Sequence, residues 1–204
     1  MLDAYKKLTN SIVNRVNNVV RPGNTTLEIL APKKIQKEFI RWISFGVERG
    51  LLLSAVSEVS IRLQKDYFLT HKPGSPLSNL VEEDLASYSI KMNQIQGDSN
   101  TLRYFDWHQL IYQKSNANAI VICHPLSLFS NYSKIASAKS GKLFKTFKFH
   151  PGLRTSNEKD ARVLMFDHPF LLIDGLGLVV WGDGLDKILS DIEYLSWLCS
   201  FDLV

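Results

Sequence analysis

Two residue types able to bind metal or move protons stand together where an apolar run ends: Cys123 and His124, in AIVICHPLSLFS (residues 119–130). A lone imidazole at the end of a buried strand would suit metal-assisted or proton-transfer chemistry. A catalytic metal, however, needs at least about three protein ligands and an open position. The other candidates are His71, His108, His150, His168 and Asp167. None of them pairs with another at helical or strand spacing, so no metal motif emerges. Asp167 and His168 are adjacent, and neighbours on an extended segment point opposite ways. His168 precedes Pro169 and reads as a turn residue. Cys123 and Cys199 both lie in apolar settings, which makes them buried thiols rather than a disulfide or a nucleophile.

The elements that must position these residues follow from periodicity. Ala119–Cys123 reads as a buried strand, and Pro125 opens a helix carrying Leu126, Phe129 and Tyr132. Upstream, DWHQLIYQ pairs Asp106 with Gln109 in a capping-box variant, opening a helix that buries Trp107, Leu110 and Ile111. Ile35, Phe39, Trp42, Ile43 and Val47 predict a helix closed by Gly50. LLLSAVSEVSIRL and DYFLT read as two short strands joined by a polar link. Near the end, Val163–Phe166, Phe170–Ile173 and Leu178–Trp181 are strand candidates. A helix from about residue 183 then places Ile188, Leu189, Ile192, Leu195 and Cys199 on one face. This alternation predicts an α/β fold, a three-layer α/β/α domain with a mixed, largely antiparallel sheet.

Length and composition set the bounds. The 204 residues, 45% apolar and 22% charged, suit one globular domain with an appended segment. Residues 1–30 form that segment: Tyr5, Leu8, Ile12, Val16, Val19 and Val20 trace an amphipathic helix that stops at Pro22–Gly23–Asn24. The domain proper spans 31–204. There is no apolar run of the roughly eighteen residues a membrane span needs, and the start of the chain lacks the order of a secretory signal. A soluble, intracellular and cytoplasmic protein is expected. The formal charge of +4 permits an acidic partner without requiring one. Lys134, Lys139, Lys142, Lys145 and Lys148 run without an acid between them, with Phe144, Phe147 and Phe149 interleaved. That pattern would grip an acidic macromolecule or form a solvated face over an apolar strand.

Four segments together resemble the class II aldolase and adducin-like domain family. FIRWISFGVERGLLLSAVSEVSIRL is similar to its first helix and the strand pair that normally holds Gly-Asn-Ile-Ser. FLTHKPGSPLSNLVEEDL is similar to its Thr-Pro-Ser-Gly-like loop and short acidic helix. YFDWHQLIYQKSNANAIVICHPLSLFS resembles the stretch with a glutamate, a histidine-led helix and His-x-His. FLLIDGLGLVVWGDGLDKILSDIEYLSWLC resembles the Gly-His-Gly strand and last helix. The order and spacing hold from about residue 35 to 201.

The resemblance implies a zinc site of three histidines, with a glutamate moving protons during carbon–carbon bond chemistry. This sequence departs from that set. The three metal positions read Ile122, His124 and Leu176, the glutamate position reads Tyr104, and His108 matches the helix histidine. No metal is therefore expected, and zinc only if other ligands rescue the site. Tyr104, with a phenol pKa of about 10, is a poor base. At the implied phosphate site stand Ser57 and Glu58, then Pro73 and Gly74, then Leu102 and Arg103. Glu58 would repel a phosphate and Pro73 removes a donor, leaving Gly74 and Arg103 as weak substrate-binding candidates.

Three readings result. One is a catalytically degenerate scaffold that binds or assembles, for which adducin head domains are the family precedent. The second is an active aldolase or epimerase on a sugar phosphate or related hydroxy-aldehyde, with a rearranged site of His124, His108 and Tyr104. The third is a module for acidic macromolecules through residues 134–149. The resemblance also implies a homo-oligomer, a tetramer in active members, and the N-terminal helix is a candidate surface for a protein partner.

Overall fold

The computed structural model describes residues 31–64, 66–91, 102–130, 170–173 and 176–200. The predicted N-terminal helix, the strand 163–166, the lysine-rich segment 134–149, Tyr132, His150 and the Asp167–His168 pair lie outside the described residues.

Helix α1 (Lys33–Glu48) turns Ile35, Phe39 and Ile43 inward at the expected spacing. It ends as predicted: Arg49 N donates to Phe45 O, and Gly50 takes the left-handed conformation at φ +69°. Strands β1 (Glu58–Gln64) and β2 (Tyr67–His71) form the expected pair. Two 3-10 turns follow, Leu77–Asn79 and Glu82–Asp84, the second being the short acidic helix. Strand β3 (Leu85–Ser89) comes directly after and was not anticipated. Helix α2 (Phe105–Lys114), β4 (Ala119–Cys123) and the short α3 (Leu126–Ser130) come next. The chain of elements closes with β5 (Phe170–Ile173), β6 (Gly177–Gly182) and α4 (Leu185–Ser200).

The strands make one six-stranded sheet in the order β3-β2-β1-β4-β6-β5, antiparallel at every described pairing. Alternation along β4 shows why the architecture has three layers. Ala119, Val121 and Cys123 join a core with α1 and α4, whereas Ile120 and Ile122 join a second core with α2. A strand buried on both faces reads as a continuous apolar run, which is what AIVIC is.

The capping box did not form. Tyr104 is the N-cap of α2 without a side-chain bond, and Gln109 instead donates to Ile90 O at 2.8 Å, beside Gln113 at 2.9 Å. Both amides are spent holding the helix to the end of β3. The acceptor for the helix's first turn comes from β1, as described below.

Helices α1 and α4 approach through Gly46. A Cβ there would lie 2.7 Å from Leu52 Cδ1, 2.8 Å from Leu52 Cγ and 3.2 Å from Leu189 Cδ2. Gly46→Val should therefore lower stability by about 1–3 kcal/mol through overpacking, despite better helix propensity. A shift of the urea unfolding midpoint at unchanged slope checks this.

Candidate functional site

Residues of one parity in β1 face α2, and they are polar: Glu58, Ser60 and Arg62. Helix α2 meets them with His108 and Tyr112, four residues apart and so on one face. The result is a buried polar chain. Ser60 Oγ is 2.7 Å from His108 Nδ1 and 2.9 Å from Tyr112 Oη. His108 Nε2 lies 3.4 Å from Glu58 Oε2, an ion-pair distance without the alignment of a good hydrogen bond. Both Glu58 oxygens accept from the Tyr104 backbone N–H, at 3.3 and 3.2 Å.

Glu58 faces the Nε2 edge of the His108 ring, and the Nδ1 edge faces Ser60. The Ser60 hydroxyl can donate to one of its two partners, His108 Nδ1 and the Tyr112 hydroxyl, while accepting from the other. Serine, imidazole and carboxylate in series suggest a nucleophile and its base. Yet Ser60 and His108 are fully buried and Glu58 is 6% exposed. No substrate carbonyl can reach Ser60, so the chain fastens α2 to the sheet rather than activating a nucleophile. Arg62 continues the seam, donating to Ala117 O (2.8 Å), Tyr112 O (2.8 Å) and Ser115 O (3.1 Å).

His124 sits half-buried just past β4. Burial lowers its pKa, the nearby Arg103 charge lowers it further, and a hydrogen bond with the Leu176 backbone opposes both. Gly177 allows this closeness. Its φ is +115°, and a Cβ there would fall 2.7 Å from Cys123 O and 2.8 Å from His124 Nε2. Cys123 is fully buried in apolar surroundings, which push its thiol far above the usual range and keep it unreactive.

The structure thus brings Arg103, Tyr104, His124 and Leu176 to one end of the sheet. Arg103 stacks over the Tyr104 ring at 5.9 Å. Ile122 lies directly across from Glu58 in the β1–β4 ladder. Gly74 occupies the turn after β2 with φ +82° and nothing within 4 Å of where its Cβ would be. Glycine is needed there for backbone conformation rather than for close approach. Glu58, expected at an anion site, is itself the anion held at the start of α2.

At the three metal positions that the resemblance implies, the described residues supply one imidazole and two aliphatic side chains, which by themselves do not make a three-histidine zinc set. Ile122 is 0% and Leu176 2% exposed, both packed in the apolar core beneath α2. His124, two residues after Ile122 and bonded to the Leu176 backbone, is the one imidazole of the three. Among the described residues no group of three or more His, Cys, Asp or Glu side chains is placed to hold a metal ion.

The comparisons agree with this architecture. The chain belongs to the class II aldolase and adducin N-terminal domain family, whose model matches residues 39–203. Solved structures similar to it include L-fuculose-1-phosphate aldolase from Thermus thermophilus, at 18% identity and TM-score 0.61 over 79% of this chain and 90% of that one. A sugar-phosphate aldolase from Thermotoga maritima matches at 15% identity and TM-score 0.60, covering 82% and 93%. An aldolase II superfamily protein from Pseudomonas syringae matches at 13% and 0.65, covering 95% and 78%. At such identities the likeness is one of fold. No curated protein matches the chain.

The Ser60, Tyr112 and Glu58–His108 contacts were not foreseen. The available signal was the polar alternation Glu58-Ser60-Arg62 facing a helix with His108 and Tyr112 four apart. Removing His108 takes away one of the two groups that meet Glu58 and leaves Ser60 short of a partner, so His108→Leu should cost about 1–3 kcal/mol, and Ser60→Ala about 1–2 kcal/mol, in urea unfolding.

His71, 6% exposed at the end of β2, gives a pH dependence. Its Nδ1 lies 3.1 Å from Lys72 O, and its buried Nε2 has no hydrogen-bond partner among the described residues. Burial lowers its pKa, His108 adds to that, and the Lys72 carbonyl, Glu58 and Asp84 oppose it. With the folded pKa below the unfolded value of about 6.5, the unfolded chain takes up the proton first as pH falls. Stability should decline below about pH 6.5 and level off beneath the folded pKa. The loss measured between pH 7.5 and 5.5 should be smaller in His71→Leu.

Proposed function

We propose that this chain is a catalytically degenerate class II aldolase-like protein that serves as a binding or assembly scaffold. One observation carries the reading: of the three implied metal positions only His124 is an imidazole, half-buried and bonded to the Leu176 backbone, while the Ile122 and Leu176 side chains are packed into the core. Carbon–carbon bond chemistry of the family type needs a Lewis acid held by several ligands, and these residues do not supply them. Tyr104 replaces the implied glutamate, and His108 has both ring nitrogens turned to Ser60 and Glu58. A rearranged active site of His124, His108 and Tyr104 therefore has only His124 and the Tyr104 phenol open to a substrate.

The scaffold reading includes self-assembly, in keeping with the implied oligomer. Tyr194 and Trp197 stack on α4 with ring centroids 6.2 Å apart, 54% and 52% exposed, and offer apolar surface for a second copy. Among the described residues no helix is long and apolar enough to cross a membrane. The N-terminal segment as a protein-partner site belongs to the same reading, whereas the lysine segment 134–149 as an acidic-partner site is a separate alternative.

Restoring the missing ligands tests it. Ile122→His/Leu176→His, added to the native His124, should gain zinc retained through desalting, whereas the unaltered chain should retain none and cleave no member of a sugar-phosphate panel with zinc present. Turnover by the unaltered chain, abolished in His124→Ala, would overturn the proposal and favour the rearranged enzyme.

A further inference from the structure

On the other face of the sheet from His124, a cavity of about 140 Å³ opens between α1, β1 and the start of α4. Its inner wall is apolar: Phe39, Ile61 and Leu185 are buried, and the half-buried Trp42 adds an indole ring. Three carboxylates, Glu38, Asp183 and Asp186, stand around it against one guanidinium, Arg41, an excess of two negative charges. Among the described residues none of these three carboxylates makes a side-chain hydrogen bond or an ion pair. The Asp186 carboxylate folds back over the α4 entry, its Oδ1 2.6 Å from where a Gly184 Cβ would be.

Each feature selects for part of a ligand. The volume is close to that of an apolar cavity of about 150 Å³ that admits benzene. Aromatic walls attract a cation whose charge is spread over a weakly hydrated apolar body. Unpaired acids at the mouth supply the counter-charge and outnumber the Arg41 guanidinium, which lies 5.2 Å from the Trp42 ring centroid and competes with a ligand cation for that ring. We propose that this cavity is a binding site for a small organic ammonium ion, with Trp42 and Phe39 against its apolar body and Asp183 and Asp186 facing its charge. The site is independent of the degenerate cleft and goes beyond the scaffold reading.

Choline, with its neutral isostere 3,3-dimethylbutan-1-ol, is the probe. The full chain is labelled with 5-fluorotryptophan, and the Trp42 resonance is assigned by its loss in Trp42→Phe. Choline should shift that resonance saturably, the neutral isostere should bind more weakly, and added salt should weaken choline alone. Asp183→Asn/Asp186→Asn, both exposed and so compatible with folding, should weaken choline about three- to tenfold. Absence of a saturable shift, equal affinity for the neutral isostere, or unchanged affinity in the double variant with its thermal unfolding intact would each overturn the proposal.

Discussion

The Glu58 carboxylate is a charge removed from water beneath a helix, and such a charge persists only where donors meet it. The Tyr104 N–H at the start of α2 and the His108 ring meet it here. A carboxylate at a helix N-terminus also suits the helix dipole. That requirement fixes where α2 begins and which face it turns to the sheet. Ser60 and Tyr112 extend the same polar seam, and Arg62 ties the far end of the same helix to β1. The position of Tyr104 and Arg103 beside His124 follows from this fastening.

The same constraint bears on chemistry. A helix N-terminus is a natural receptor for an anionic substrate. In this protein the donor at Tyr104 is already engaged by a side chain of the chain itself, and the imidazole nearest to it is fully buried. Across the ladder from Glu58, Ile122 extends the apolar core to the edge of His124. In the scaffold reading proposed above, the implied anion receptor is filled from within by a carboxylate and the implied metal position by aliphatic carbon.

Much of the framework was legible from residue pattern. The α1 stripe, the left-handed Gly50, the β1–β2 pair and the doubly buried AIVIC strand each rest on local periodicity. The resemblance placed Ile122, His124 and Leu176 in one neighbourhood, and His124 does lie against the Leu176 backbone. Strand β3 was missed because LASYS has small and polar side chains, and its pairing with β2 comes from tertiary context. The cap of α2 was missed for a related reason. Asp106 and Gln109 have the right spacing for a local cap, but the acceptor comes from Glu58, 46 residues away in sequence from the Tyr104 that donates to it. A competing contact to Ile90 drew Gln109 off. Long-range polar pairing leaves no periodic trace, so a buried acid in a strand reads in sequence as a surface or substrate-facing group.

Elemental analysis of the protein, purified from cells grown with and without added zinc, bears most directly on the central claim that Ile122 and Leu176 end the metal chemistry of this fold. Thermal unfolding of each sample with excess zinc completes the measurement, since a metal bound only to the folded state at a hundredfold excess over its Kd would stabilise it by about 2.7 kcal/mol. The account predicts metal far below one equivalent and an unfolding temperature indifferent to zinc. One equivalent of metal with a raised unfolding temperature would contradict it and return His124 to the centre of an active site.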